Sequence, residues 1–123
     1  MLESKVQKEI LSYLDKNKIF HFRFQAQSNL NGVPDVICCY RGLFIGLELK
    51  REKGGRASGL QEKKLEAINN ADGIGVVVRS VEEVKTLFTL INMMIHNSSS
   101  VKQIRYEMEK LYEWDKILKK WML

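Results

Sequence analysis

The stretch Pro34-Asp35-Val36-Ile37-Cys38-Cys39-Tyr40-Arg41-Gly42-Leu43-Phe44-Ile45-Gly46-Leu47-Glu48-Leu49-Lys50 decides the fold. Val36 to Tyr40 reads as a strand, Arg41-Gly42 as a two-residue turn, and Leu43 to Lys50 as the returning strand. So short a turn fixes the register: Tyr40 faces Leu43, Cys38 faces Ile45, and Asp35 faces Glu48. Strand residues alternate between faces, so Glu48 and Lys50 share the side that Asp35 occupies. The other side carries Val36, Cys38, Tyr40, Leu43, Ile45, Leu47 and Leu49, the pattern of a sheet surface packed on a core. Two facing carboxylates cost roughly 0.2 to 1 kcal/mol, and more when desolvated. The pair therefore needs a compensating cation, either Lys50 alone or a bound metal.

Around this hairpin the remaining elements follow from periodicity and punctuation. Glu3 to about Lys16 has helical spacing, with Val6, Ile10, Leu11 and Leu14 on one side and Asn17 as a stop. Ile19 to Ala26 alternates Phe20, Phe22 and Phe24 with polar residues and reads as a half-buried strand. Gln27 to Gly32 is a polar turn that delivers the chain into the Asp35 strand. Beyond Lys50, the Gly-rich and charged segment Arg51 to Gly59 reads as a mobile loop. Ser58 and Gln61 make a capping box for a helix reaching about Ala71. Ile74 to Val78 is a short buried strand, and Ser80 with Glu83 opens a helix running to about Ile95. After a polar linker, Ser100 and Gln103 open a last helix with the stripe Val101, Ile104, Met108, Leu111 and Leu118.

A chain of 123 residues suffices for one hydrophobic core. Cys38 and Cys39 are adjacent on one strand and point to opposite faces, so they read as free thiols in a reducing compartment. His21 and His96 lack any CxxC or HxxxH companion spacing, which argues against Cys/His metal chemistry. The N-terminus has no secretion-signal pattern and Leu87 to Ile95 is too short to span a bilayer, so a soluble cytoplasmic protein is expected, with no membrane partner. The net charge of +5 favours a polyanionic partner. Seven cations against four acids lie between Arg41 and Glu66, beside the paired carboxylates. Solvated surface is the bland reading of such a run; DNA phosphate contact by Arg51, Lys53 and Arg56, with Ser58 beside them, is the sharper one.

A carboxylate pair on adjoining strands suits a hard cation, Mg²⁺ or Mn²⁺, which takes oxygen ligands. Asp35 and Glu48 are the expected ligands, and the backbone carbonyl of Leu49 offers a third oxygen. Lys50, on the same face, is placed to orient or deprotonate a water and to offset charge on a phosphate. Pro-Asp at a strand start, or ExK on a strand, is each commonplace alone; their occurrence in register is not. Gln61 reads equally as a helix cap or as a contact to phosphate or to an active-site water.

Taken together, Glu3 in the first helix, Gly32-Val33-Pro34-Asp35, Phe44-Ile45-Gly46-Leu47-Glu48-Leu49-Lys50-Arg51, Ser58 with Gln61, and Gly75-Val76-Val77-Val78 followed by Ser80 resemble the VRR-NUC domain of the PD-(D/E)xK nuclease superfamily. The resemblance covers about Glu3 to Phe88. It implies an α/β (α+β) restriction-endonuclease-like core, a mixed β-sheet flanked by helices, and Mg²⁺- or Mn²⁺-dependent DNA hydrolysis without an organic cofactor. It makes Asp35 and Glu48 metal ligands, Lys50 the catalytic lysine, and Gln61 an accessory catalytic residue. Glu3 matches the family's first-helix acid, which binds a second metal or a metal-bound water; Glu9 competes for that role on the same helix.

Stand-alone members of the family, from phages or bacteria, look like dimeric Holliday-junction resolvases. The expectation is accordingly a homodimeric, structure-selective endonuclease acting on branched DNA, with a flap, nicking or restriction nuclease as the alternative enzyme. A catalytically silent DNA-binding module is the alternative of another class. Residues 1–95 would form the nuclease core and residues 96–123 a helical extension. That extension, bearing Trp114 and Trp121, packs either on the same domain or on a dimer partner.

Overall fold

A computed structural model describes residues 3–24 and 32–97, apart from the side chains of Glu3, Met94 and Asn97. The expected turn at Gln27 to Asn31 and the last helix from Val101, with Trp114 and Trp121, lie outside the described residues. Backbone contacts divide the chain into two units, Met1–Lys85 and Thr86–Leu123. The element order is α1 (Glu3–Lys16), β1 (Phe20–Arg23), β2 (Val36–Tyr40), β3 (Leu43–Leu49), α2 (Gly59–Asn70), β4 (Ile74–Val78) and α3 (Val81–Asn97). The first unit holds everything up to the first turn of α3. The second, as far as it is described, is the remainder of α3, where Leu87, Phe88 and Ile91 are buried.

The four strands form one mixed sheet in the order β1-β2-β3-β4, antiparallel for the first two pairings and parallel for β3 with β4. This is the mixed α/β architecture expected of a restriction-endonuclease-like core. The parallel pairing requires a crossover, which α2 supplies. At the hairpin, Arg41 and Gly42 have φ of 52° and 83°. Two positive φ values in a two-residue loop match the right-handed twist of the flanking strands, and this sets the expected register, Tyr40 with Leu43 through Val36 with Leu47.

One face of the sheet is the core. Val36, Cys38, Leu43, Ile45, Leu47, Leu49, Ile74, Val76 and Val78 are buried there. Tyr40, expected among them, is only half-buried, with the Arg41 guanidinium over its ring at 5.8 Å. α1 lies on this side: Val6, Ile10 and Leu14 are fully buried at successive i, i+4 positions, and Asp15 reaches His21 of β1. Burying a side chain of that size is worth about 1.5 to 3 kcal/mol. The helix stops where Asn17 Nδ2 donates to the Tyr13 carbonyl at 2.8 Å and Lys18 turns to a φ of 54°.

On the opposite face α2 packs against β3 and β4. It approaches so closely that a Cβ on Gly75 would lie 2.6 Å from the Leu65 carbonyl oxygen, and one on Gly46 would lie 2.8 Å from Ile68 Cδ1. Only glycine leaves that room. Asn69 then clamps the outer strand, its Oδ1 accepting from Gly75 N at 2.7 Å and its Nδ2 donating to Gly75 O. That side chain satisfies backbone groups which an edge strand would otherwise present to solvent.

Two expectations need correction. The first-helix-to-hairpin strand is four residues long, not eight, and its phenylalanines are not core: Phe20 is 69% and Phe22 48% exposed. It is an edge strand, outside the pair β3 and β4 on which α2 packs, and these two phenylalanines stay exposed. Secondly, the β2–β3 ladder ends at Val36 with Leu47 and does not extend to Asp35. Asp35 sits in a bend after Pro34; its backbone carbonyl accepts from Phe24 N at 2.9 Å.

Candidate active site

The hairpin brings the carboxylates of Asp35 and Glu48 to one end of the sheet, although by a different device from direct opposition. Asp35 Oδ2 accepts a hydrogen bond from Leu49 N at 2.8 Å, so this side chain is pinned to the backbone between Glu48 and Lys50. Lys50 N donates to Val78 O, towards β4. Strand backbone groups alternate in direction, so the Leu49 N–H and C=O both point the other way, to the Asp35 side.

Glu48 is the only charged residue buried among the described residues, at 1% exposure. An ionised carboxylate taken out of water demands compensation. It has two partners on the same oxygen: Gln61 Nε2 donates to Oε1 at 2.8 Å, and Lys50 Nζ lies 3.8 Å from it. The Lys50 side chain is itself 16% exposed, so its ammonium sits at the boundary between the buried acid and solvent.

Of the two readings of Gln61, the helix cap is the one observed, and the same side chain also reaches Glu48. Gln61 Oε1 accepts from Ser58 N at 2.7 Å and Gln61 N donates to Ser58 Oγ at 3.2 Å, a complete capping box. The Nε2 end of the same amide holds Glu48. Gly32, at a φ of +87°, passes α2's first turn so tightly that a Cβ would meet the Leu60 carbonyl oxygen at 2.7 Å. The segment leading to Asp35 and the start of α2 are thereby fixed together.

Arg51, Lys53, Arg56 and Ser58 are all exposed on the connection from β3 to α2. The connection has no regular secondary structure, and its backbone is tied to the end of β4. Arg79, directly after β4, donates from Nη1 to the carbonyls of Arg51 (2.9 Å) and Gly54, and from Nη2 to that of Gly55 at 2.7 Å. Sequence reading missed this residue. Nothing local marks it, since its partners lie 24 to 28 positions away and are backbone atoms. Glu3 opens α1, but its side chain lies outside the described residues; Glu9 lines a groove with Lys5, Lys8, Ser12, Tyr13, Lys16, Val81 and Lys85.

Among the described residues no group of three or more His, Cys, Asp or Glu side chains converges as a metal cage. The donor set nevertheless fits Mg²⁺ or Mn²⁺. Two carboxylates with an adjacent backbone carbonyl are hard oxygen donors, and these ions retain several waters instead of requiring an all-protein cage. No helix among the described residues is long and apolar enough to cross a membrane. Comparison with protein-family models, with curated proteins and with solved structures returns no match for this chain.

Proposed function

We propose that the protein is a metal-dependent DNA endonuclease of the VRR-NUC type, cutting phosphodiester bonds in branched DNA, with Holliday-junction resolution by a homodimer as its specific task. The observation that carries this reading is the Lys50 ammonium 3.8 Å from the buried Glu48 carboxylate, with Asp35 fixed to the intervening residue Leu49. A purely structural ion pair would not require a second carboxylate anchored beside it.

Asp35, Glu48 and the Leu49 carbonyl would hold Mg²⁺ or Mn²⁺, which supplies Lewis-acid activation of the phosphate and acidifies the attacking water. Lys50 orients that water and stabilises the negative charge that grows on the phosphate oxygens as the bond to the leaving oxygen breaks. Gln61 keeps the Glu48 carboxylate from rotating, which preserves the geometry between turnovers. Arg51, Lys53 and Arg56 lie on the loop beside the site and would bind the phosphates flanking the scissile bond, a contact that positions DNA without reading its sequence. Ser58 is exposed on the same connection, though its hydroxyl is engaged by the cap.

The test is incubation of the protein with matched four-way, flap, duplex and single-stranded DNA in Mg²⁺ or Mn²⁺. Paired symmetric incisions in the four-way substrate are expected. Cleavage of flaps or linear duplex alone would replace the junction assignment, and binding without cleavage under every condition would reduce the protein to a silent DNA-binding module.

A further inference from the structure

On the face of the sheet that carries Glu48, α2 packs against β3 and β4. Towards the β1 edge and the hairpin turn the same face presents Phe20 (69% exposed), Phe22 (48%) and Phe44 (48%), with Cys39 exposed between them. Register places them together. Phe20 pairs with Cys39, and Cys39 with Phe44, so one row crosses three strands; Phe22 pairs with Ile37 in the next row towards Asp35. Three large aromatics on one sheet surface are more than chance exposure of single apolar residues explains.

The patch has charge at both ends. Lys18, exposed, precedes β1 at the hairpin-turn end, while Lys50 and the Arg51, Lys53 and Arg56 loop flank the end where the carboxylates lie. Cations bracketing a row of exposed rings complement an anion that also offers planar faces. Dimensions agree. Phe20 and Phe22 are two residues apart on a strand, about 7 Å, and Phe20 and Phe44 are two strands apart, about 10 Å, with the small Cys39 between them leaving a slot for a flat ring.

We infer that Phe20, Phe22 and Phe44 form a stacking platform for unpaired bases of a DNA strand whose phosphates run from Lys18 towards Lys50 and the Arg51, Lys53 and Arg56 loop. This rests on the nuclease reading for its biological sense, and it names the substrate feature: bases unstacked at a branch or single-stranded end, led along the sheet to the carboxylates. Base stacking on aromatic side chains tolerates any sequence, because every base has a π-face.

The experiment uses the full chain, in EDTA so that no cleavage intervenes. Binding of a fluorescent oligo-dT strand and of a fully paired duplex is measured by anisotropy for wild type, Phe22→Leu, Phe20→Leu/Phe44→Leu and Phe44→Trp. The leucine variants keep an apolar side chain and lose the ring. Each lost ring is expected to weaken single-strand binding about tenfold while duplex binding changes little. Phe44→Trp should retain affinity and show tryptophan quenching on adding oligo-dT. Bound oligo-dT should also slow maleimide labelling of the exposed Cys39.

Unchanged single-strand affinity in the leucine variants overturns the platform. So does a halving of the mass of those variants in light scattering with affinity unaltered, which would make the patch a contact between copies of the chain. The nuclease reading fails separately: wild type that binds oligo-dT through these rings yet cuts no DNA in Mg²⁺ or Mn²⁺ keeps the platform and loses the enzyme.

Discussion

Gln61 Nε2 donates to Glu48 Oε1 at 2.8 Å while the same side chain closes the N-terminal cap of α2. A helix start and a buried carboxylate are thus tied through one amide, and the two roles separate by mutation. Ser58→Ala removes the cap hydroxyl and should cost about 1 kcal/mol in denaturant unfolding, with cleavage retained. Gln61→Ala removes both connections and should cost about 2 kcal/mol and lower cleavage as well. Equal effects of the two variants on cleavage would show that Gln61 acts only as a cap.

Lys50→Ala should lower the cleavage rate by about 100- to 1000-fold while leaving junction binding nearly intact. The reason is its position: its ammonium lies 3.8 Å from Glu48 Oε1, whereas Arg51, Lys53 and Arg56 are exposed on the connection from β3 to α2, where the proposal assigns them to binding. Single-turnover rates beside gel-shift affinities make the comparison, and undiminished cleavage would sink the assignment of Lys50.

Asp35→Asn and Glu48→Gln should each abolish metal-dependent cleavage, and wild type should be silent in excess EDTA. Both substitutions preserve side-chain size, so near-wild-type melting temperatures are expected with the activity gone. Full activity in EDTA would refute the metal requirement.

Arg79→Ala should release the 51–55 segment by removing its three hydrogen bonds to that backbone. Limited proteolysis is expected to cut the variant near Lys53 several-fold faster than wild type, and DNA affinity to fall without loss of the folded core. Arg79→Lys cannot form the same fork and should behave as the alanine variant does.

The two thiols should differ sharply. Burial, and then the neighbouring Cys39, push the Cys38 thiol from its ordinary 9.0 up to about 12, so native protein should take up one maleimide, at Cys39, and a second only on unfolding. An unfolded chain ionises this thiol from pH 9.0 whereas the folded one waits until about 12. The stability that Cys38 contributes is therefore present below pH 9.0 and lost as pH rises through that window, which alkaline unfolding curves of wild type and Cys38→Ala would show.

Local chemistry determined a great deal of this protein from the sequence. The i, i+4 stripe of Val6, Ile10 and Leu14 specified α1, the Arg41-Gly42 turn specified the hairpin register, and Ser58 with Gln61 specified where α2 begins. Each depends on residues a few positions apart, and alternation along β3 was enough to bring Glu48 and Lys50 to one face. Only the tertiary structure decided how Asp35 joins them, through the Leu49 N–H after a bend at Pro34, and that Gln61 reaches Glu48 as well as its own cap. It also decided that Arg79 holds the basic loop and that the alternating phenylalanines of β1 face outward. The physical reason is common to all four. A strand's alternation says that two faces differ but not which one a helix will cover, and a side chain's long-range partner is set by how sheets and helices stack, which spacing along the chain does not encode.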